Sequence, residues 1–229
     1  MRLDKFVCKS TDTTKAEAVQ LIQAGRLTVN GDVILDPAVQ VHENNTITLE
    51  GERLQARSFR YLLMHKPAGT ICSNVDERYP SLFNSLQIDK VSELHVAGRL
   101  DVDTTGLVLI TDDGRWTFDI IRPVNHCPKV YRVTLAKPLP EDVIEQFKQG
   151  LQLQGESQLT RPADLEILAP NEARLTLTEG KFHQVKRMFT AVGNRVRTLH
   201  REQIGAITLD VPVGQWRFLT DQEVQSFIS

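Results

Sequence analysis

Four consecutive apolar residues, Leu107-Val108-Leu109-Ile110, follow Gly106 and run through Thr111 and Asp112 to Asp113-Gly114, a turn signal. A run this short and this apolar, with no helical period and a turn at its end, reads as a strand buried in the core. Just before it, Gly98-Arg99-Leu100-Asp101-Val102-Asp103-Thr104-Thr105 forms an irregular loop between two glycines. Glycine lacks a Cβ, so the backbone at both ends of that loop can approach other groups closely. Asp101 therefore stands at the foot of a core strand. Taken alone, an aspartate in a loop is most often a turn or cap residue.

The chain has 229 residues, 41% hydrophobic and 24% charged, enough for one small and one larger folded unit. Its start, Met1-Arg2-Leu3-Asp4-Lys5-Phe6, lacks the apolar run of a secretion signal, and no stretch reaches the ~18 apolar residues of a membrane span. Cys8, Cys72 and Cys127 are far apart and form no Cys-x-x-Cys pair. That spacing argues for the cytoplasm and against a disulfide frame or a zinc site.

Net charge is −2, but the charge is unevenly placed. Lys181, Lys186, Arg187, Arg195, Arg197 and Arg201 fall in one segment without an acid among them. In the first 31 residues Arg2, Lys5, Lys9, Lys15 and Arg26 outnumber Asp4, Asp12 and Glu17. Two basic regions on an acidic chain are the footprint that phosphate binding requires.

The N-terminal part is a compact unit by pattern. Thr14-x-x-Glu17 is a capping box that opens a helix with Ala18, Leu21 and Ile22 on one face, and Gly25 is placed to end it. Arg26 to Ile34 alternates around Asn30-Gly31, a hairpin signal. Thr46 to Leu49 reads as a further strand, and the polar stretch Glu50 to Arg57 as a linker. These helices and hairpin, with Arg2-Leu3-Asp4-Lys5-Phe6 and Ala24-Gly25-Arg26-Leu27-Thr28-Val29-Asn30-Gly31, resemble the S4 RNA-binding domain. The resemblance implies that Arg2, Lys5, Lys15 and Arg26 face RNA.

In the larger unit, Tyr61 to Lys66 reads as a strand stopped by Pro67, which lacks a ladder donor. Lys129 to Leu135 is a strand with Lys129, Tyr131, Val133 and Leu135 on one face. Pro140 to Gln149 is helical, with Gly150 as stop, and Arg174 to Thr178 is a strand. In Lys181 to Phe189, Val185, Met188, Phe189 and Val192 fall at i, i+3, i+4 and i+7, giving a helix with Lys186 and Arg187 off its apolar face. At the C-terminus, Gly214 to Phe218 gives a strand and Thr220-x-x-Glu223 a capping box for the last helix.

Four ordered motifs of this unit resemble the pseudouridine synthases, in the group built with an S4 domain. They are Lys66-Pro67-x-Gly69; Gly98-Arg99-Leu100-Asp101 with Thr105 to Gly114; Lys129-x-Tyr131; and Lys181-Phe182-His183-Gln184-Val185-Lys186-Arg187. The resemblance implies that Asp101 starts cleavage of the uridine N1–C1′ bond, by attack on the base, attack on the sugar or removal of a sugar proton. It also implies that Tyr131 lies against the base, that Lys186 is the countercharge of Asp101 with Arg187 in reserve, and that Arg99, Arg187 and His183 contact RNA. Its substrate is expected to be ribosomal RNA, free or in an assembly particle, with 16S favoured over 23S on length and overall likeness. An isomerisation involves neither redox nor hydrolysis, so no cofactor or metal is called for. Asp101-x-Asp103 and Asp112-Asp113 are weak as Mg²⁺ ligands, because Val102 separates the first pair and the second reads as a turn. Asp103, Asp112 and Asp113 are assigned structural roles.

Two other classes compete. A non-catalytic S4-type RNA-binding protein predicts a missing acid, yet Asp101, Tyr131 and Lys186 are all present. A sugar-bond hydrolase calls for a second carboxylate, and Lys181 to Phe189 supplies cations instead. The expected architecture is α+β. Residues 1–57 form an S4-like domain, and residues 58–229 a catalytic domain with a mixed, mostly antiparallel sheet. That sheet is expected in two lobes, with Asp101 and Tyr131 at the cleft. The protein is expected to be a monomer, away from membranes.

Overall fold

The computed structural model describes residues 1–228 and divides into two compact units, Met1–Ser58 and the chain from Phe59 onward. The first holds α1 (Leu3–Ser10), α2 (Lys15–Gln23), β1 (Leu27–Val29), β2 (Asp32–Val33), β3 (Ile47–Leu49) and β4 (Glu52–Arg53). The capping box forms as the spacing predicts: Thr14 Oγ1 accepts from the Glu17 amide at 3.3 Å, and the Glu17 carboxylate accepts from the Thr14 amide at 2.6 Å. Asn30 and Gly31 both take positive φ, 54° and 94°, which the tight β1–β2 turn requires. Leu3, Val7, Ala18, Ile22, Leu27 and Ile47 fill the core of this unit.

The linker reading of Glu50 to Arg57 is corrected. Glu50-Gly51 repeats the positive-φ pattern at 52° and 88° and closes a second hairpin, β3–β4. Leu54 beyond it packs on the core. The polar composition of this stretch reflects an exposed edge strand rather than a tether.

The second unit contains β5 (Tyr61–Lys66), β6 (His95–Ala97), β7 (Thr105–Thr111), α3 (Gly114–Ile121), β8 (Lys129–Leu135), α4 (Asp142–Gln149), β9 (Asp164–Ala169) and β10 (Glu172–Leu177). It continues with α5 (Gln184–Ala191), β11 (Val196–Ile204), β12 (Ile207–Thr208), β13 (Trp216–Phe218) and α6 (Asp221–Gln225). Its sheet runs β13-β5-β7-β11-β8-β10-β9, with β6 beside β7 and β12 beside β11. Among the strands of the described residues only β7 and β11 pair in parallel, through His200 with Thr105 and Arg201 with Gly106, apart from an isolated parallel bridge between Ile71 and Ser81.

That short pairing is a seam between two halves with separate cores. On one side α4 and α5 cover β8 and β10 around Phe147, Phe189, Leu175 and Met188. On the other, Leu63, Leu107 and Leu109 pack under Trp116 and Ile120 of α3 and Val224 of α6, while Leu62, Met64, Val108 and Ile110 fill the opposite face. Leu107 to Ile110 is therefore buried on both faces, as its composition predicts.

The seam depends on one glycine. A Cβ on Gly106 would stand 2.3 Å from the Arg201 carbonyl oxygen and 2.6 Å from its nitrogen, and Gly106 sits at φ +112°. Both obstacles are backbone, so no rotamer can relieve them. Gly106→Ala is expected to cost at least ~3 kcal/mol, from overpacking and backbone strain together. Urea unfolding checks this, and an unchanged midpoint would show that the strands part without cost.

Candidate active site

The loop carrying Asp101 enters β7 at the seam and is held from beneath by a buried cation. Lys66, the last residue of β5, is fully buried and donates from Nζ to the carbonyls of Thr104 (2.8 Å), Pro67 (3.1 Å) and Val102 (3.3 Å). Burial pushes its pKa below the ordinary lysine value, against the opposing pull of Cys72, Asp103 and Asp101. The Gly69 amide also donates to Val102 O, and the Thr104 amide to Asp101 O, which turns the loop back on itself. The Lys66-Pro67-x-Gly69 motif is thus the support of this loop.

Arg201 of β11 ties the other end. Only 2% exposed, it donates from Nε to Leu107 O at 2.8 Å and from Nη2 to Gly98 O at 2.7 Å. Its guanidinium also lies 6.0 Å from the centre of the Tyr131 ring, its register partner on β8. Tyr131 is half-buried against the α4–α5 core. One arginine thereby links the Tyr131 strand to the Asp101 loop.

The cation comes from α5. Val185, Met188 and Phe189 bury one face as the period predicts, but the helix starts at Gln184 rather than Lys181. Gln184 is buried, accepts from the Lys181 amide and donates to Glu179, which fixes the turn before the helix. His183 at the N-cap takes a left-handed conformation, φ 47°, and its Nε2 lies 3.3 Å from Asp101 Oδ1. Lys186 Nζ donates to Asp101 Oδ2 at 2.9 Å and to Asp103 Oδ1 at 2.7 Å.

Asp103 therefore does not belong among the purely structural acids. It shares the lysine with Asp101, and the hydrogen bond from Lys186 holds its pKa below the usual carboxylate value despite partial burial. Burial works against the Lys186 ammonium, but Asp103 and Asp101 outweigh it and raise its pKa. The other two acids are structural. Asp112 is buried and accepts from the Arg60 amide and Nε. Asp113 is the N-cap of α3, its Oδ1 accepting from the Arg115 and Trp116 amides. The turn expected there is a helix start.

Arg187 is turned away from Asp101. It donates to Glu156 and to the carbonyls of Gln154 and Phe182, bracing the loop before β9 rather than serving as a reserve countercharge. Arg99 is exposed, two residues before Asp101. In the first unit Lys5 and Lys15 are exposed, Arg2 pairs with Asp4 at 2.7 Å and Arg26 pairs with Glu50, all at the surface except for the buried Asp4. Lys9, part of the basic count, is buried. No group of three His, Cys, Asp or Glu side chains that could hold a metal occurs among the described residues, nor does a helix long and apolar enough to cross a membrane.

The chain resembles known proteins over its whole length. It is 47% identical to ribosomal small subunit pseudouridine synthase A of Vibrio cholerae over 228 residues, 99% of both chains. It is 45% identical to the protein of the same name from Escherichia coli K12 over 231 residues, 100% of both. A solved structure described as a pseudouridylate synthase superposes with a TM-score of 0.74 at 41% identity, covering 100% of each chain. Residues 1–47 match the S4 domain and residues 60–191 match RNA pseudouridylate synthase, the stretch that contains the Asp101 loop, Tyr131 and Lys186. With an S4 domain ahead of that match and full-length relatives at this identity, the chain belongs to the RNA pseudouridylate synthase family.

Proposed function

We propose that this enzyme converts one uridine of small-subunit ribosomal RNA to pseudouridine, with the Asp101 carboxylate as its catalytic group. The observation that carries the proposal is the wiring of Asp101: one carboxylate at the seam of the sheet, with Lys186 on Oδ2 and His183 beside Oδ1. The choice of small-subunit RNA rests on the relatives that bear that name over their full length.

The reaction breaks the N1–C1′ bond, turns the base and joins C5 to C1′. A proton leaves C5 and one is taken up at N1, so atoms balance without a co-reactant. In each route open to a carboxylate, Asp101 supplies the electron pair. Lys186 offsets the cost of setting that carboxylate beside polyanionic RNA, and the Tyr131 ring borders the base, its hydroxyl assisting loss of the C5 proton. Extruding the uridine costs a few kcal/mol, which phosphate contacts and stacking must offset. His183 beside Asp101 and the exposed Arg99 two residues before it supply part of this.

Arg2, Lys5, Lys15 and Arg26 of the S4 unit contribute phosphate contacts that hold the RNA. The Arg26–Glu50 pair does not oppose this role, since an exposed pair contributes only about 0–1 kcal/mol and a phosphate can replace the acid, whereas Arg2 is held by the buried Asp4 and meets RNA with that pair intact. Asp101, Lys186, His183 and Tyr131 all come from one chain, so a monomer suffices, acting in the cytoplasm on ribosomal RNA or an assembly particle.

Substrate choice is tested by presenting unmodified 16S and 23S RNA, each as free transcript and in its assembly particle, at equal concentration and mapping pseudouridine in both. Pseudouridine is expected in the 16S RNA and not in the 23S RNA. Modification of 23S alone would move the substrate to the large subunit, and modification of neither would contradict the proposal.

A further inference from the structure

Phe182 has no part in the wiring of Asp101, yet it stands at the edge of that site. Phe182 is 76% exposed, the most exposed large hydrophobic residue among the described residues. One face of its ring lies on the His183 imidazole, with centroids 3.7 Å apart and planes inclined by 23°. His183 in turn lies 3.3 Å from Asp101 Oδ1, so a single imidazole separates the ring from the carboxylate.

The backbone that carries the ring is also held in place. The Phe182 carbonyl accepts from Arg187 Nη1 at 3.1 Å, Lys181 is paired with Glu156 at 2.9 Å, and the Lys181 amide is capped by Gln184. An aromatic ring already stacked on one face and turned to water on the other loses little order when a flat partner covers it, and it recovers the cost of its exposure. RNA offers such a partner at this place. When a uridine leaves the stack to reach Asp101, its neighbours lose a stacking face, and aromatic side chains commonly supply one.

We propose that the outward face of Phe182 is a stacking platform for an RNA base next to the extruded uridine. The inference rests on the function proposed above and adds a substrate-binding residue to it. Every base has a π-face, so the platform contributes affinity and positioning without reading sequence.

The test compares wild type with Phe182→Ala, Phe182→Leu and Phe182→Trp on 16S transcript, reading kcat and KM separately. Removing the ring in the Ala and Leu variants is expected to raise KM about tenfold, with kcat changed less, whereas Trp keeps KM near wild type. Because the ring is exposed, thermal midpoints stay unchanged. In a short RNA with 2-aminopurine on either side of the modified uridine, wild type quenches the probe at one position and Phe182→Ala at neither. A wild-type KM in either the Ala or the Leu variant overturns the platform, and so does equal quenching by wild type and Phe182→Ala. If wild type itself forms no pseudouridine in RNA, the proposed function fails first and the platform falls with it.

Discussion

Asp101→Asn is expected to lower the rate of pseudouridine formation by on the order of 10⁴-fold, the scale seen when a central catalytic group is removed. The same variant should fold and bind RNA as well as wild type. Asparagine keeps the shape of the side chain, and Asp103 still holds Lys186 at 2.7 Å. The loop itself rests on backbone carbonyls held by Lys66 and Arg201, none of which involve the Asp101 carboxylate. Removing one negative charge beside a polyanion should, if anything, tighten binding. A parallel loss of thermal stability or RNA affinity would show that Asp101 is part of the scaffold.

Lys186→Met is expected to reduce kcat by about 10²–10³-fold, as loss of one preorganised electrostatic partner commonly does. RNA affinity should fall far less, because the ammonium is engaged with Asp101 and Asp103 rather than offered to phosphate. Equal losses in affinity and turnover would recast Lys186 as a phosphate contact. The pH dependence of this wiring has a definite sign. The raised pKa of Lys186 means that its stabilisation is fully present below the ordinary value of 10.5 and fades as pH rises above it. The depressed pKa of Asp103 means that its share is present above 3.8 and is lost as pH falls through its lowered value. Neither of these two shares changes across the neutral range, so the Lys186–Asp103 pair persists there.

Features set by near neighbours in the chain were legible in the sequence. The Thr14 capping box, the Asn30-Gly31 turn, the buried run from Leu107 to Ile110 and the apolar face of α5 all follow from spacing within a few residues. The β3–β4 hairpin escaped because Glu50-Gly51 sits in a polar stretch with no apolar alternation after it. Asp113-Gly114 signals a chain reversal and a helix N-cap equally well, and α3 took the second course because Trp116 and Ile120 could then cover β7.

At the site, Asp101, Tyr131 and Lys186 stood out through motif likeness, whereas Asp103 and Arg201 did not. Spacing in an irregular loop says nothing about where Asp103 points, and its partner is 83 residues away. Arg201 reads as one of six cations in a basic segment. Its burial depends on the parallel pairing of β7 with β11, a long-range contact that local pattern does not encode.

The central claim is that Asp101 starts an isomerisation in which C5 of a uridine gives up its hydrogen. Single-turnover release of tritium from 16S RNA labelled at uridine C5 follows that event directly. Wild type is predicted to release one equivalent of tritium for each pseudouridine formed, and Asp101→Asn to release none on the same timescale. Tritium release by Asp101→Asn at the wild-type rate would contradict the account.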